Sequence, residues 1–162
     1  NTTGREKKNA ERHAIFCLYL NKYSRIDNSE RELITHFSER LRVASESLEL
    51  AQLLLASSTK IMAALDLEAQ RVLDLLISID AFRRPSRFIR LLETIELSQM
   101  PSTVGVEEVF LRTNFLRKAI EVTKNVNANK IFGTKELAEV HFSEINAKIA
   151  EERVRQIEGL RN

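Results

Sequence analysis

The residues whose types could do chemistry in this chain include three histidines, one cysteine, the carboxylates and two runs of arginine and lysine. His13, His36 and His141 have no second His, Asp or Glu at a metal-motif spacing, and a zinc site needs three or four converging ligands. His141 has Glu144 three residues on in a strongly charged segment, which suits a solvent-facing or capping histidine. No serine stands in G-x-S-x-G, and no Cys–His context marks a nucleophile. Cys17 lies in the apolar run Phe16-Cys17-Leu18 and reads as a small buried hydrophobe. The carboxylates are scattered at helical spacing from Arg and Lys, as in Arg117 and Glu121, the pattern of solvated surface pairs. The sequence therefore predicts no catalytic residue and no metal site.

The basic residues are more informative. Arg83, Arg84, Arg87 and Arg90 surround a proline, and Arg112, Arg117, Lys118, Lys124 and Lys130 follow. Arg117 and Lys124 fall on one side of a helix. Acidic residues concentrate elsewhere, at Glu136, Glu139, Glu144, Glu151 and Glu152. Two readings compete: a solvated face that keeps the chain in solution, or a surface that grips phosphates, with Arg83, Arg84, Arg87, Arg117, Lys118 and Lys124 as its contacts. Phe82, Phe88, Phe110 and Phe115 read as core rather than as stacking platforms.

The elements that must carry these residues are helices. The chain has 162 residues, 43% hydrophobic and 30% charged, with only four Gly and two Pro. That length buries about 70% of the unfolded surface without disulfide or metal. So few turn residues leave short loops and no glycine-rich phosphate loop. The net charge of +2 and pI near 8.8 permit nucleic-acid contact without indicating it. One cysteine excludes an internal disulfide and fits a reducing cytoplasm. No apolar stretch approaches the ~20 residues that cross a bilayer. A start at Asn1 without Met suggests a piece of something longer.

The expected fold is all-α, an array of seven or eight helices. Residues 1–10 read as a frayed start or a linker. Residues 11–22 are apolar on all sides and predict a buried helix, with a short buried strand as the alternative. Ser29 and Glu32 form a capping box before a helix that places Leu33, Ile34, Phe37 and Leu41 on one face. Ser45 caps the next, with Leu48, Ala51, Leu54 and Leu55. Asp66 caps a fourth, whose apolar residues from Val72 to Ile79 exceed a single stripe and suggest cover on several sides. Pro85 opens a fifth, with Phe88, Leu91, Leu92 and Ile95. Residues 98–105 are the most loop-like and divide the chain into 1–100 and 101–162. A sixth helix turns Val109, Thr113, Leu116 and Ile120 inward. Asn127 and Asn129 flank a short turn or helix that Gly133 ends, and Thr134 caps a long last helix.

Three segments together resemble the C-terminal part of bacterial CCA-adding tRNA nucleotidyltransferases, relatives of the poly(A) polymerases. They are Glu32-Leu33-Ile34 through Glu39-Arg40-Leu41-Arg42-Val43; Leu73-Asp74-Leu75-Leu76 through Asp80-Ala81-Phe82-Arg83-Arg84-Pro85-Ser86-Arg87-Phe88; and Phe115-Leu116-Arg117-Lys118-Ala119 with Asn127-Ala128-Asn129-Lys130. Asp-Ala-Phe-Arg-Arg-Pro is the most specific piece. The resemblance implies that 1–100 is a helical body akin to a degenerate HD domain and that 101–162 is a helical tail. It implies tRNA as partner, together with the protein's own N-terminal head and neck, where magnesium and CTP or ATP would serve the transfer. The chain itself would add nothing. Where HD-bearing members carry a His-Asp metal pair, Leu18-Tyr19 stands here, and the later His-containing run corresponds to residues 55–62, which hold no His. An HD-type metal phosphohydrolase, or a helical scaffold or dimerisation module without RNA, are the alternatives.

Overall fold

The computed structural model describes residues 2–23, 30–40, 42–99, 105–136 and 141–161. Among these there are eight helices: α1 (Thr2–Tyr23), α2 (Glu30–Arg40), α3 (Ser45–Met62), α4 (Ala69–Ser78), α5 (Pro85–Gln99), α6 (Val106–Thr123), α7 (Ala128–Glu136) and α8 (Phe142–Glu158). The fold is all-α, as the periodicity predicts. The described chain packs as two compact units, residues 1–59 with 86–110 and residues 60–85 with 111–162. Each unit is discontinuous in sequence, unlike the segments 1–100 and 101–162.

In the first unit α1 presents Ala10, Ala14 and Cys17, three small buried residues at helical spacing. They pack in a core with Ile34, Leu50, Ala51, Leu54, Phe88, Leu91, Leu92 and Ile95. Two expectations for this helix need correction. The charged start is not frayed: helix begins at Thr2, since Arg, Glu and Lys are good helix formers. Nor is the helix buried all round: Phe16 is 47% exposed. Its apolar residues outnumber the positions that face a neighbour. Ser29 and Leu41, with the side chains of Leu33 and Phe37, lie outside the description.

In the second unit the core holds Ile61, Val72, Leu73, Leu76, Ile79, Phe115, Leu116, Ile120 and Ile157. The inward sets named for α5 and α6 are all buried. In α4, Val72, Leu73, Leu75 and Leu76 are buried, as is Ile79 at its end, but that helix is covered on one face only, with Arg71, Asp74, Ile77 and Ser78 exposed. Several buried hydroxyls are satisfied inside their own helices, as where Thr94 donates to the Arg90 carbonyl and Thr123 to that of Ala119.

Three predicted caps differ from the structure. Asp66 does not cap α4; that helix starts at Ala69 behind Glu68, which makes no side-chain cap bond. The Asp66 carboxylate instead accepts from Arg112 Nη1 at 2.8 Å, a partner supplied by α6. Gly133 does not end α7, which continues to Glu136, and α8 starts at Phe142 behind His141 rather than at a Thr134 cap. Nothing in glycine forbids a helix; it only removes the side chain that would favour one. Asn127 does flank α7, and its Oδ1 accepts the Lys130 N–H at 3.1 Å and caps it, whereas Asn129 lies inside the helix.

Candidate nucleic-acid interface

The loop that carries Arg83 and Arg84 is set by the end of α4. Asp80 adopts φ 58°, in the left-handed region. The Ala81 N–H reaches back to the Leu76 carbonyl and the Asp80 N–H to that of Ile77, the paired bonds of a Schellman motif. A glycine ordinarily fills this position, and a side chain there costs about 1–2 kcal/mol. The same construction ends α2: Arg42 has φ 51°, Val43 donates to Ser38 and Arg42 to Glu39. Ala81 is then buried, Phe82 turns its ring toward α8, and Pro85 opens α5 in the first-turn position that its missing N–H suits.

Arg153 of α8 lies over the Phe82 ring, 4.1 Å from its centroid. Burial pushes the Arg153 guanidinium below its ordinary pKa. The stack fastens the loop from the helix side and leaves Arg83 and Arg84 outside it. Their side chains are 81% and 52% exposed, and each Nε faces an Asp80 carboxylate oxygen, at 3.8 Å and 3.5 Å. Exposed pairs at such distances contribute about 0–1 kcal/mol. The backbone bonds and the ring stack therefore hold this loop, and the two ion pairs are a minor part of it. A phosphate could replace Asp80 as their partner at little cost.

The other four candidates differ in setting. Arg87 belongs to the first unit, where Nη1 is 3.7 Å from Glu49 and the side chain is largely covered. Arg117 is half-buried and donates to Thr113 and Asn114 of its own helix. Lys118 and Lys124 are exposed. Arg90 and Arg112, the neighbours of these clusters, are structural. Arg90 is 11% exposed, with Nη1 2.6 Å from Glu46 on α3 and Nε 3.8 Å from Glu11 on α1. The acidity read for the last helix is balanced locally, Lys148 pairing with Glu151 and Arg155 with Glu152. Arg153 was missed by sequence reasoning, since no local pattern ties it to Phe82.

The structure also assembles a Cys–His–Ser group that the sequence reading did not see. His13 Nε2 lies 3.0 Å from Ser38 Oγ and 3.5 Å from Cys17 Sγ. The signal was present, since His13 and Cys17 are four apart on one helix. Chemically the group is poised the wrong way for a nucleophile. Burial pushes the thiol up to about 11 and the imidazole down, so neither is activated. It is a packing contact between α1 and α2. Leu18 and Tyr19, which the sequence resemblance sets against a His-Asp pair, do not fit a metal either: Leu18 offers no ligand, and Tyr19 donates its hydroxyl to the Ser98 carbonyl at 3.0 Å. Among the described residues no three of His, Cys, Asp or Glu are gathered as a metal would require, and no helix is long and apolar enough to cross a membrane.

The chain is 29% identical over 100 residues to the multifunctional CCA protein of Janthinobacterium sp. (strain Marseille), covering 62% of this chain and 24% of that protein. It is 28% identical over 127 residues to the protein of the same description from Psychromonas ingrahamii, covering 78% and 30%. With that of Pseudomonas fluorescens it shares 35% over 96 residues, covering 59% and 23%. The aligned part thus spans less than a third of these relatives' length. No family model matches the chain, and no solved structure does.

Proposed function

We propose that this chain is the tRNA-holding, non-catalytic C-terminal region of a CCA-adding nucleotidyltransferase. The observation that carries the reading is the partial match to multifunctional CCA proteins. The exposed arginine pair on a loop fastened independently of it supports the role. Nucleotide transfer, with magnesium and CTP or ATP, belongs on this reading to a head and neck beyond these residues. Here the contacts are to phosphate, so binding follows RNA shape more than sequence. Arg83 and Arg84 are the leading contacts, because a guanidinium fork can grip a phosphate with two bonds. Lys118 and Lys124 add charge, while Arg87 and Arg117 are partly committed to protein groups. An HD phosphohydrolase is disfavoured by Leu18 and by the bond that occupies Tyr19.

The test is tRNA binding by fluorescence anisotropy against salt. Three or four neutralised phosphates give a log–log slope of about −2 to −4. Arg83→Glu with Arg84→Glu should weaken binding about tenfold or more and leave thermal stability in place. Unchanged binding in that variant, and in Lys118→Glu with Lys124→Glu, refutes the assignment.

A further inference from the structure

The second unit holds a cleft of about 390 Å³ walled by the end of α6, by α7 and by α8. That volume lies in the range of small-ligand sites, about 300–1,000 Å³. Val122, Val126 and Ile131 give it an aliphatic wall, and Lys130, Arg155 and Gln156 line it with polar groups. Glu152 also lines it, but its carboxylate is engaged by Arg155 at 2.6 Å and by Gln156 Nε2 at 2.8 Å. That engagement holds the Glu152 carboxyl below its usual pKa range and offsets its charge. Gln156 keeps its amide oxygen as an acceptor, and Lys130 is exposed. Apolar wall, amide acceptor and ammonium together match one nucleotide: a base against the aliphatic side chains, a base N–H to Gln156, a phosphate on Lys130. A bare phosphate would leave the wall unused.

We infer that this cleft receives a single unstacked nucleotide of the bound RNA. The inference rests on the holding function and extends it, from backbone contact to capture of a base. Side chains cannot read the deep, narrow major groove of an RNA duplex, whereas loop bases can be splayed into a protein pocket. Asn127 contributes by capping α7, the helix that brings Lys130 and Ile131 to the cleft.

The experiment is a ¹⁵N NMR titration of the 162-residue chain with each of the four nucleoside 5′-monophosphates, with inorganic phosphate as control. Expected are saturable shifts at the amides of Val126, Lys130, Ile131 and Gln156 that phosphate alone does not reproduce. Ile131→Trp, which fills the cleft, should abolish them and weaken tRNA binding about tenfold. Lys130→Ala, at an exposed position, gives a second variant should the tryptophan disturb packing. Shifts that phosphate reproduces, or tRNA binding that both variants leave unchanged, overturn the cleft assignment while the holding function stands. A parent chain without tRNA affinity overturns the holding function itself.

Discussion

Arg153 lies 4.1 Å above the Phe82 ring, so a helix near the end of the chain fastens the loop between α4 and α5. A partly desolvated cation over an aromatic face is worth about 0.5–2 kcal/mol. We expect Arg153→Met to cost about 1 kcal/mol in urea unfolding, and the double-mutant cycle with Phe82→Leu to return a coupling of at least about 0.5 kcal/mol. Strict additivity would show that the stack is incidental.

Arg42 and Asp80 both occupy the left-handed region. Replacing Arg42 by Gly should stabilise the chain by about 0.5–1 kcal/mol, because the strain relieved exceeds the added flexibility of the unfolded state. Asp80→Gly should gain less, since it removes the carboxylate facing Arg83 and Arg84. A destabilised Arg42→Gly would mean that the arginine side chain makes a contact worth more than the strain.

Arg90 and Arg83 should separate structure from binding. Arg90→Ala removes a largely covered cation from Glu46 and Glu11 and should cost about 2 kcal/mol. Arg83→Ala should change stability by less than about 0.5 kcal/mol. The same unfolding titration reads both, and equal costs would contradict the division drawn between them.

The burial of His13 gives a pH dependence of definite sign. Its folded pKa lies below the unfolded 6.5, so on acidification the unfolded chain takes up the proton first. Stability is full above about pH 7 and falls as pH drops through 6.5 toward the lowered folded value. His13→Gln should flatten this window in urea midpoints measured across it. A wild-type midpoint that rises on acidification there would reverse the assignment.

Cys17 is fully buried, with its thiol pushed up to about 11. In native buffer at neutral pH it should react with a disulfide reagent only as fast as the chain opens, and at once in denaturant. Prompt reaction in the native state would show α1 to be detached.

The sequence by itself determined the helical class and most inward faces. Periodicity is a local property, and Phe88, Leu91, Leu92 and Ile95, or Thr113, Leu116 and Ile120, announce their burial by spacing alone. It also located the Asp80–Arg84 loop, because the bulk of α4 ends there and Pro85 restarts the chain. What it could not determine was which charged residue meets which partner. Asp66 suits a helix cap by local rules, yet it is taken by Arg112, and Arg90 and Arg83 look alike in the sequence although one is covered between helices and the other stands in solvent. Only tertiary packing decided these, as it decided the Phe82–Arg153 stack and the cleft beside α7: such contacts join residues distant in the chain, and their energies depend on how helices are brought together rather than on any pattern within one of them.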